Sequence, residues 1–256
     1  MTDVRRSKSK PGRGRPGLRK APVQRHDARQ EGAPTIAFAD LPRPYETLYE
    51  SPRLLVINKP AGLASHAGPT ATACVEDWFP LMSRRRDGPW LAHRLDTDTA
   101  GCLVIALRKQ GLIETQEFFA AGRVRKTYWA VVKGTPGASA GEIDLPLLRV
   151  TTPDGWKIIA DEKGKPAKTA WRSLFSGGGF SLLELTLRTG RTHQARVHCA
   201  ALGTPIVGDG VYGAPDGQKL HLLSRALHLP FTPPVDAIAP PPPHMLATLN
   251  RIGWQG

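Results

Sequence analysis

The sequence has little of what would tie it to an oxidising compartment or a membrane. Cysteine occurs three times in 256 residues, at Cys74, Cys102 and Cys199. The three are far apart, with no C-x-x-C pair and no even count, which argues against a disulfide framework and fits a reducing compartment. No apolar run approaches the roughly 18 residues of a spanning helix, and the basic N-terminus has no apolar stretch of the kind a secretory signal needs. A soluble, cytoplasmic protein with no membrane attachment is expected. Negative charge is also scarce: 22 Asp and Glu face 35 Lys and Arg, a net +13. What is present is ample core material, 40% hydrophobic residues, enough for one or two domains and too much for wholesale disorder.

The positive surplus is uneven. Residues 1–34 hold ten Lys and Arg against Asp3, Asp27 and Glu31, more than half of the net charge. This stretch is rich in Pro, Gly and Arg and nearly empty of large apolar side chains, so it cannot offset its own ordering entropy. It reads as a mobile basic arm that attracts polyanions through counterion release. From about Thr35 onward, short apolar runs punctuated by Gly and Pro define a folded domain over 35–256.

Within it, Arg53–Asn58, Gly101–Leu107, Lys126–Val132, Thr169–Phe175 and Phe180–Leu187 read as strands. The Gly177-Gly178-Gly179 turn predicts that the last two form an antiparallel hairpin. Helical spacing appears at Gln110–Ala121, with Ile113, Gln116, Glu117 and Ala120 in one stripe, and at Thr192–Leu202, where Ala195, Cys199 and Leu202 share a face. Helices are too few for strict βαβ alternation, so the fold class is α+β: a mixed, largely antiparallel sheet flanked by helices. The Ala239–Pro243 run (APPPP) reads as a polyproline II spacer.

Two strings imitate known motifs. Gly208–Gly213 (GDGVYG) fits G-x-G-x-x-G, yet no helix is indicated after it, and a turn with Gly at positive φ is the better reading. Asp96–Gly101 (DTDTAG) opens like a calcium loop but has Ala100 at position five and Leu107 at position twelve. His193 and His198 are five apart, on different faces of a helix, with no third ligand near. No metal site is expected.

The chemistry-bearing residues fall in three places. Asp96 lies in a loop before an apolar strand, where it either serves catalysis or caps a turn. Arg188–His198 (RTGRTHQARVH) spans a strand end and a helix start, a place that gathers anions and suits phosphate and base contacts, or else is a solvated helix entrance. Lys126-Thr127-Tyr128-Trp129 opens a strand with an aromatic pair whose default role is packing.

Together these pieces resemble the RluA family of RNA pseudouridine synthases. The resemblance runs from about Tyr45 to Pro230 in four collinear blocks: Leu48–Leu63 (LYESPRLLVINKPAGL), His93–Gly101 (HRLDTDTAG), Lys126–Gly134 (KTYWAVVKG) and Arg188–Asp209 (RTGRTHQARVHCAALGTPIVGD). It implies the pseudouridine synthase catalytic fold with a central cleft, and isomerisation of uridine to its C-glycoside in ribosomal or transfer RNA. No cofactor and no obligate protein partner are implied. By position, Asp96 corresponds to the family's essential aspartate, Tyr128 to its active-site tyrosine and Arg196 to the basic residue paired with that aspartate. Arg94 resembles the arginine that helps displace the target nucleotide. His93, Arg191, His193 and Gln194 are expected RNA contacts. The chain departs from the pattern at Ala100, where Ser is usual, at Ala195, where a larger aliphatic is common, and at Ser224, where His is usual.

Two other functions compete. A non-catalytic RNA-binding or ribosome-assembly factor would be served by the arm and the cationic helix start, but gains nothing from a carboxylate facing RNA. A glycoside hydrolase would need Asp96 and Asp98 at the separation of an acid/base pair, which a Thr-flanked loop gives no reason to expect. Deleting residues 1–34 is expected to weaken RNA binding and flatten its salt dependence while leaving turnover in place. Binding titrations at several salt concentrations check this, and an unchanged slope would show that the arm is idle.

Overall fold

Strands that are apolar at nearly every position need cover on both faces, and the architecture supplies it. The structure, a computed structural model, describes residues 43–256 apart from 69, 70 and 154; the arm expected over 1–34 lies outside the described residues. In chain order the strands are β1 (Glu46–Glu50), β2 (Leu54–Lys59), β3 (Trp90–Leu91), β4 (Ala100–Ala106), β5 (Arg125–Lys133), β6 (Ala140–Asp144), β7 (Leu147–Thr152), β8 (Gly155–Ala160), β9 (Lys168–Gly177), β10 (Phe180–Leu187), β11 (Leu222–Leu229) and β12 (Val235–Ile238). The helices are α1 (Phe79–Met82), α2 (Lys109–Ala120), α3 (Gln194–Ala201) and α4 (Pro243–Arg251).

Ten strands form one sheet in the order β1-β2-β4-β11-β5-β10-β9-β6, with β3 added on β4 and β12 on β11, while β7 and β8 make a separate hairpin. The β4–β11 pair is parallel and the other pairs are antiparallel, so the sheet is mixed and largely antiparallel, as expected. Side chains alternate between its faces. Leu55, Ile57, Leu103, Ile105, Leu183 and Leu185 share one core with Ala195 and Cys199 of α3. Leu54, Val56, Cys102, Val104 and Leu182 share the other with Met245 and Leu249 of α4, against which Leu112, Phe118 and Phe119 of α2 also pack.

All five expected strands and both expected helices are present, and β9 turns into β10 at Gly177–Gly179. The stripe expected on α2 forms, but it is the face turned to solvent. Ile113 is 46% exposed and Gln116, Glu117 and Ala120 face solvent, whereas Gly111 and Thr115 are buried. The physical reason is close approach: a Cβ at Gly111 would lie 2.9 Å from the Arg53 carbonyl oxygen, so the helix seats its small residues on the sheet edge. The last residue of the APPPP run, Pro243, opens α4, where the missing N–H costs nothing.

At the centre of the sheet, the β11–β5 register shifts between Ser224 and Ala226, leaving Ser224 opposite Tyr128. On its other side Ser224 pairs with Gly101 of β4. Gly101 holds φ at +108°, and a Cβ there would run into the Ser224 carbonyl oxygen. The bulge and the glycine set the exit of the Asp96 loop against Tyr128. Gly101→Ala is expected to cost about 2 kcal/mol or more, from the strained φ and the backbone collision. Urea unfolding of the variant beside the wild type checks this.

Candidate active site

The Asp96 loop connects β3 to β4 and is pinned at successive residues. His93 Nε2 accepts from the Val104 N–H at 3.0 Å. The Ser65 hydroxyl donates to the Leu95 carbonyl at 2.7 Å and accepts from the Leu95 N–H at 3.1 Å. The Thr97 carbonyl accepts from the Gly62 N–H and from Lys59 Nζ, each at 2.9 Å. Thr99 N–H closes the turn onto the Asp96 carbonyl at 3.1 Å. The turn is thus made by backbone, and the Asp96 side chain has no hydrogen bond to protein among the described residues. Its carboxylate is 27% exposed, with Oδ2 3.9 Å from His193 Nε2.

Lys59 is fully buried and donates to the carbonyls of Pro60, Leu63 and Thr97 at 2.7–2.9 Å. Desolvation pulls its ammonium down to about 8, against the opposing charges of Asp98 and Asp96. Tyr128 is 9% exposed; burial pushes its phenol up to about 12, with Ser224 opposing and the charge of Asp96 adding to the rise. It is therefore a neutral hydroxyl near neutral pH.

Arg196 departs from expectation. Its Nε and Nη2 donate to the two carboxylate oxygens of Asp209, both at 2.8 Å, and among the described residues Asp209 is its ion-pair partner, not Asp96. The reason lies in solvation. The Asp209 side chain is fully buried and must be matched, while that of Asp96 still meets water. Desolvation works to raise the Asp209 carboxyl, but the Arg196 hydrogen bonds and charge, with the N–H groups of Tyr212 and Val211, hold it below its ordinary value. Desolvation likewise works against the Arg196 charge, and Asp209 and then Asp96 outweigh it. Arg196 therefore acts on Asp96 through space, beyond 4 Å.

The remaining expected contacts divide. Arg94 and Arg191 are exposed. Arg94 donates to His66 Nε2 at 2.8 Å and rims a cavity of about 550 Å³ bordered also by Trp90, Leu112 and Gln116. Gln194 is not available to RNA. It is 1% exposed, its amide donates to the Lys168 carbonyl and Thr169 Oγ1, and its carbonyl accepts from Thr189 Oγ1 and the Arg191 N–H. His93 is also scaffold: desolvation lowers its imidazole to about 4, and its Nε2 lone pair is taken by β4. His193 lies beside Asp96. Lys59, Asp209 and Tyr212 were not singled out from sequence, although Lys59 sits in the NKPAG string and the other two in the GDGVYG string that was set aside as a turn. Gly208 does turn there at φ +77°.

Comparison with known proteins identifies the family. The profile of the RNA pseudouridylate synthase family matches residues 53–201. An RNA pseudouridine synthase of Zymomonas mobilis is 40% identical over 184 residues, covering 71% of this chain and 84% of that protein. Ribosomal large subunit pseudouridine synthase C of Buchnera aphidicola is 35% identical over 170 residues, covering 66% of this chain and 54% of the relative. The solved structure of human RNA pseudouridylate synthase domain containing 4 superposes with a TM-score of 0.69 at 28% identity, covering 81% of this chain and 92% of that one.

The Lys59 contacts make a prediction. Lys59→Met leaves three carbonyls without their donor and is expected to cost about 2 kcal/mol, with loss of activity as the Thr97 tether goes. Between pH 8 and 10.5 the folded wild type has released the Lys59 proton while the unfolded chain retains it. Unfolding there takes up a proton, so wild-type stability rises with pH and its lead over Lys59→Met widens. Unfolding curves of both proteins at pH 7.5 and about pH 10 check the sign.

Proposed function

The chain belongs to the RluA-type RNA pseudouridine synthases, and from that premise we propose that it isomerises specific uridines in RNA with Asp96 as its essential carboxylate. It is an RNA pseudouridine synthase, an isomerase. The finer reading takes ribosomal RNA as substrate in preference to transfer RNA, in line with relatives named for the ribosomal large subunit. The observation that carries it is the Asp96 side chain: anchored through its backbone, free of hydrogen bonds to protein among the described residues, 3.9 Å from His193, and within electrostatic reach of Tyr128 and Arg196. A pure RNA binder has no use for such a group.

In this reading the target uridine leaves its stack and enters the cleft, a step that costs a few kcal/mol and favours looped or deformable RNA. Arg94, exposed two residues before Asp96, helps take the place of the extruded nucleotide, and the exposed Arg191 contacts phosphate. Asp96 acts on the ribose either as nucleophile or as base. The N1–C1′ bond breaks, the uracil turns, and C5 bonds to C1′ with loss of its proton, so the reaction consumes no hydride, phosphate or water. Tyr128 offers a flat face to the detached base, worth about 1–3 kcal/mol. Its raised pKa favours stacking and hydrogen bonding over a phenolate base.

No helix among the described residues is long and apolar enough to cross a membrane, and the proposed place of work is the cytoplasm. Asp96→Asn is expected to abolish pseudouridine formation in a large-subunit RNA transcript while RNA affinity stays within about threefold. Nucleoside mass spectrometry and filter binding read the two quantities. Strong residual turnover would remove Asp96 from the mechanism, and release of free uracil would point to a hydrolase instead.

A further inference from the structure

His193 is the one described non-glycine residue with positive φ, at 54°, and it precedes α3 without a side-chain capping bond. A left-handed histidine is unfavourable and persists only when its surroundings hold it. Here they hold the ring. Trp156 of β8 stacks on it at 5.3 Å between centroids and 27° between planes, with the Arg149 guanidinium 4.4 Å over the tryptophan. Tyr212 meets it edge-on at 5.6 Å, and its hydroxyl lies 2.7 Å from His193 Nδ1. On the far side of the ring, Nε2 lies 3.9 Å from Asp96 Oδ2.

Two hydrogen-bond arguments favour one position for the imidazole proton. The Tyr212 oxygen accepts from the Ile158 N–H at 3.1 Å, and its own proton finds a partner within the protein by donation to His193 Nδ1. That requires Nδ1 to be a lone pair and Nε2 to carry the hydrogen. The opposite tautomer would also turn an Nε2 lone pair toward the Asp96 carboxylate, placing acceptor against acceptor. Desolvation lowers the imidazole pKa, with Asp96, Asp209 and Asp98 opposing and Arg196 assisting, so near neutral pH the ring carries one proton.

We propose that His193 is a positioning residue for Asp96: Tyr212 sets its Nε2–H tautomer, Trp156 clamps its ring, and the Nε2–H is aimed at the Asp96 carboxylate. The proposal rests on the pseudouridine synthase reading and assigns His193 a task other than RNA contact. The 3.9 Å separation is longer than a hydrogen bond and closes when the sugar enters the cleft, as donor contacts in unliganded sites commonly do. The donor then orients the carboxylate oxygen that attacks or deprotonates the ribose. The β7–β8 hairpin, outside the main sheet, thereby becomes part of the catalytic apparatus.

Glutamine and asparagine separate this role from packing, because the Gln amide nitrogen reaches the Nε2 position and that of Asn does not. His193→Asn, which tolerates the left-handed backbone, is expected to lower kcat about 10–100-fold with KM within about threefold. His193→Gln is expected to recover to within about threefold of wild type. Independently of activity, 15N–1H correlation of the imidazoles, assigned by the signal lost in His193→Gln, should show Nδ1 unprotonated and Nε2 protonated. Tyr212→Phe should relax that preference. A proton on Nδ1, equal losses in the two His193 variants, or a loss carried by KM overturns the positioning role. Asp96→Asn separates the two levels: if it is inactive while His193→Asn matches wild type, only the positioning role fails, and if it turns over, the parent reading fails as well.

Discussion

The site depends on the buried pair between Arg196 and Asp209. Asp209 has no exposed side-chain surface, and a carboxylate in that position is tolerated only with a matched cation. The pair is bidentate, and Asp209 Oδ1 also accepts from the N–H groups of Val211 and Tyr212. One carboxylate thus ties the first turn of α3 to the turn that follows Ile206 and orders that turn around itself. Tyr212 is placed by it, His193 precedes the helix it anchors, and the Arg196 ring-face contact with Tyr212 at 5.2 Å closes the unit. Apolar residues of equal volume would leave the Val211 and Tyr212 N–H groups without their acceptor and would not hold a phenol and an imidazole at fixed angles.

The Asp96 loop follows a complementary rule. Its backbone is tied down by Ser65, Gly62, Lys59 and the His93–Val104 contact, while its carboxylate is left without a hydrogen bond to protein among the described residues. A reactive group needs both conditions: a rigid support, so that little reorganisation remains at the moment of reaction, and unspent bonding capacity for the substrate. Lys59 is the expensive part of this support. Burying an ammonium costs enough to pull its pKa down to about 8, and three carbonyls, two from the turn after Lys59 and one from the Asp96 loop, compensate.

Much of the fold was legible because burial on both faces writes continuous apolar runs, as in Leu54–Lys59 and Ala100–Ala106, which few other structures explain. The elements without that signature were missed. The β7–β8 hairpin has one modest apolar face, and α4 starts inside a proline run. On α2 the apolar Ile113 misdirects the eye, because it faces solvent, while the small Gly111 permits the close approach and Leu112, Phe118 and Phe119 supply the apolar contact. In the site, the residue types and their blocks were readable, but the partner of Arg196 was not. Asp209 is thirteen positions away and Asp96 a hundred, and sequence distance carries no information about which carboxylate is the drier one.

The same distinction decides how the cationic segment Arg188–His198 is used. Counted as composition, it holds three arginines, two histidines and a glutamine, all apparently suited to RNA. Folding divides them by depth. His198 is buried between Thr169 Oγ1 and the Leu145 carbonyl, Gln194 binds four protein groups, and Arg196 belongs to Asp209. Only Arg188 and Arg191 keep their guanidinium groups at the surface. The loop that leads into α3 therefore carries two exposed cations, and the helix itself continues with polar groups turned in, so surface charge and internal framework follow one another within one short stretch of chain. Polar residues that look like ligands in a sequence become framework wherever the protein itself fills their hydrogen-bonding capacity, and Asp96 stands out because the protein leaves it unfilled.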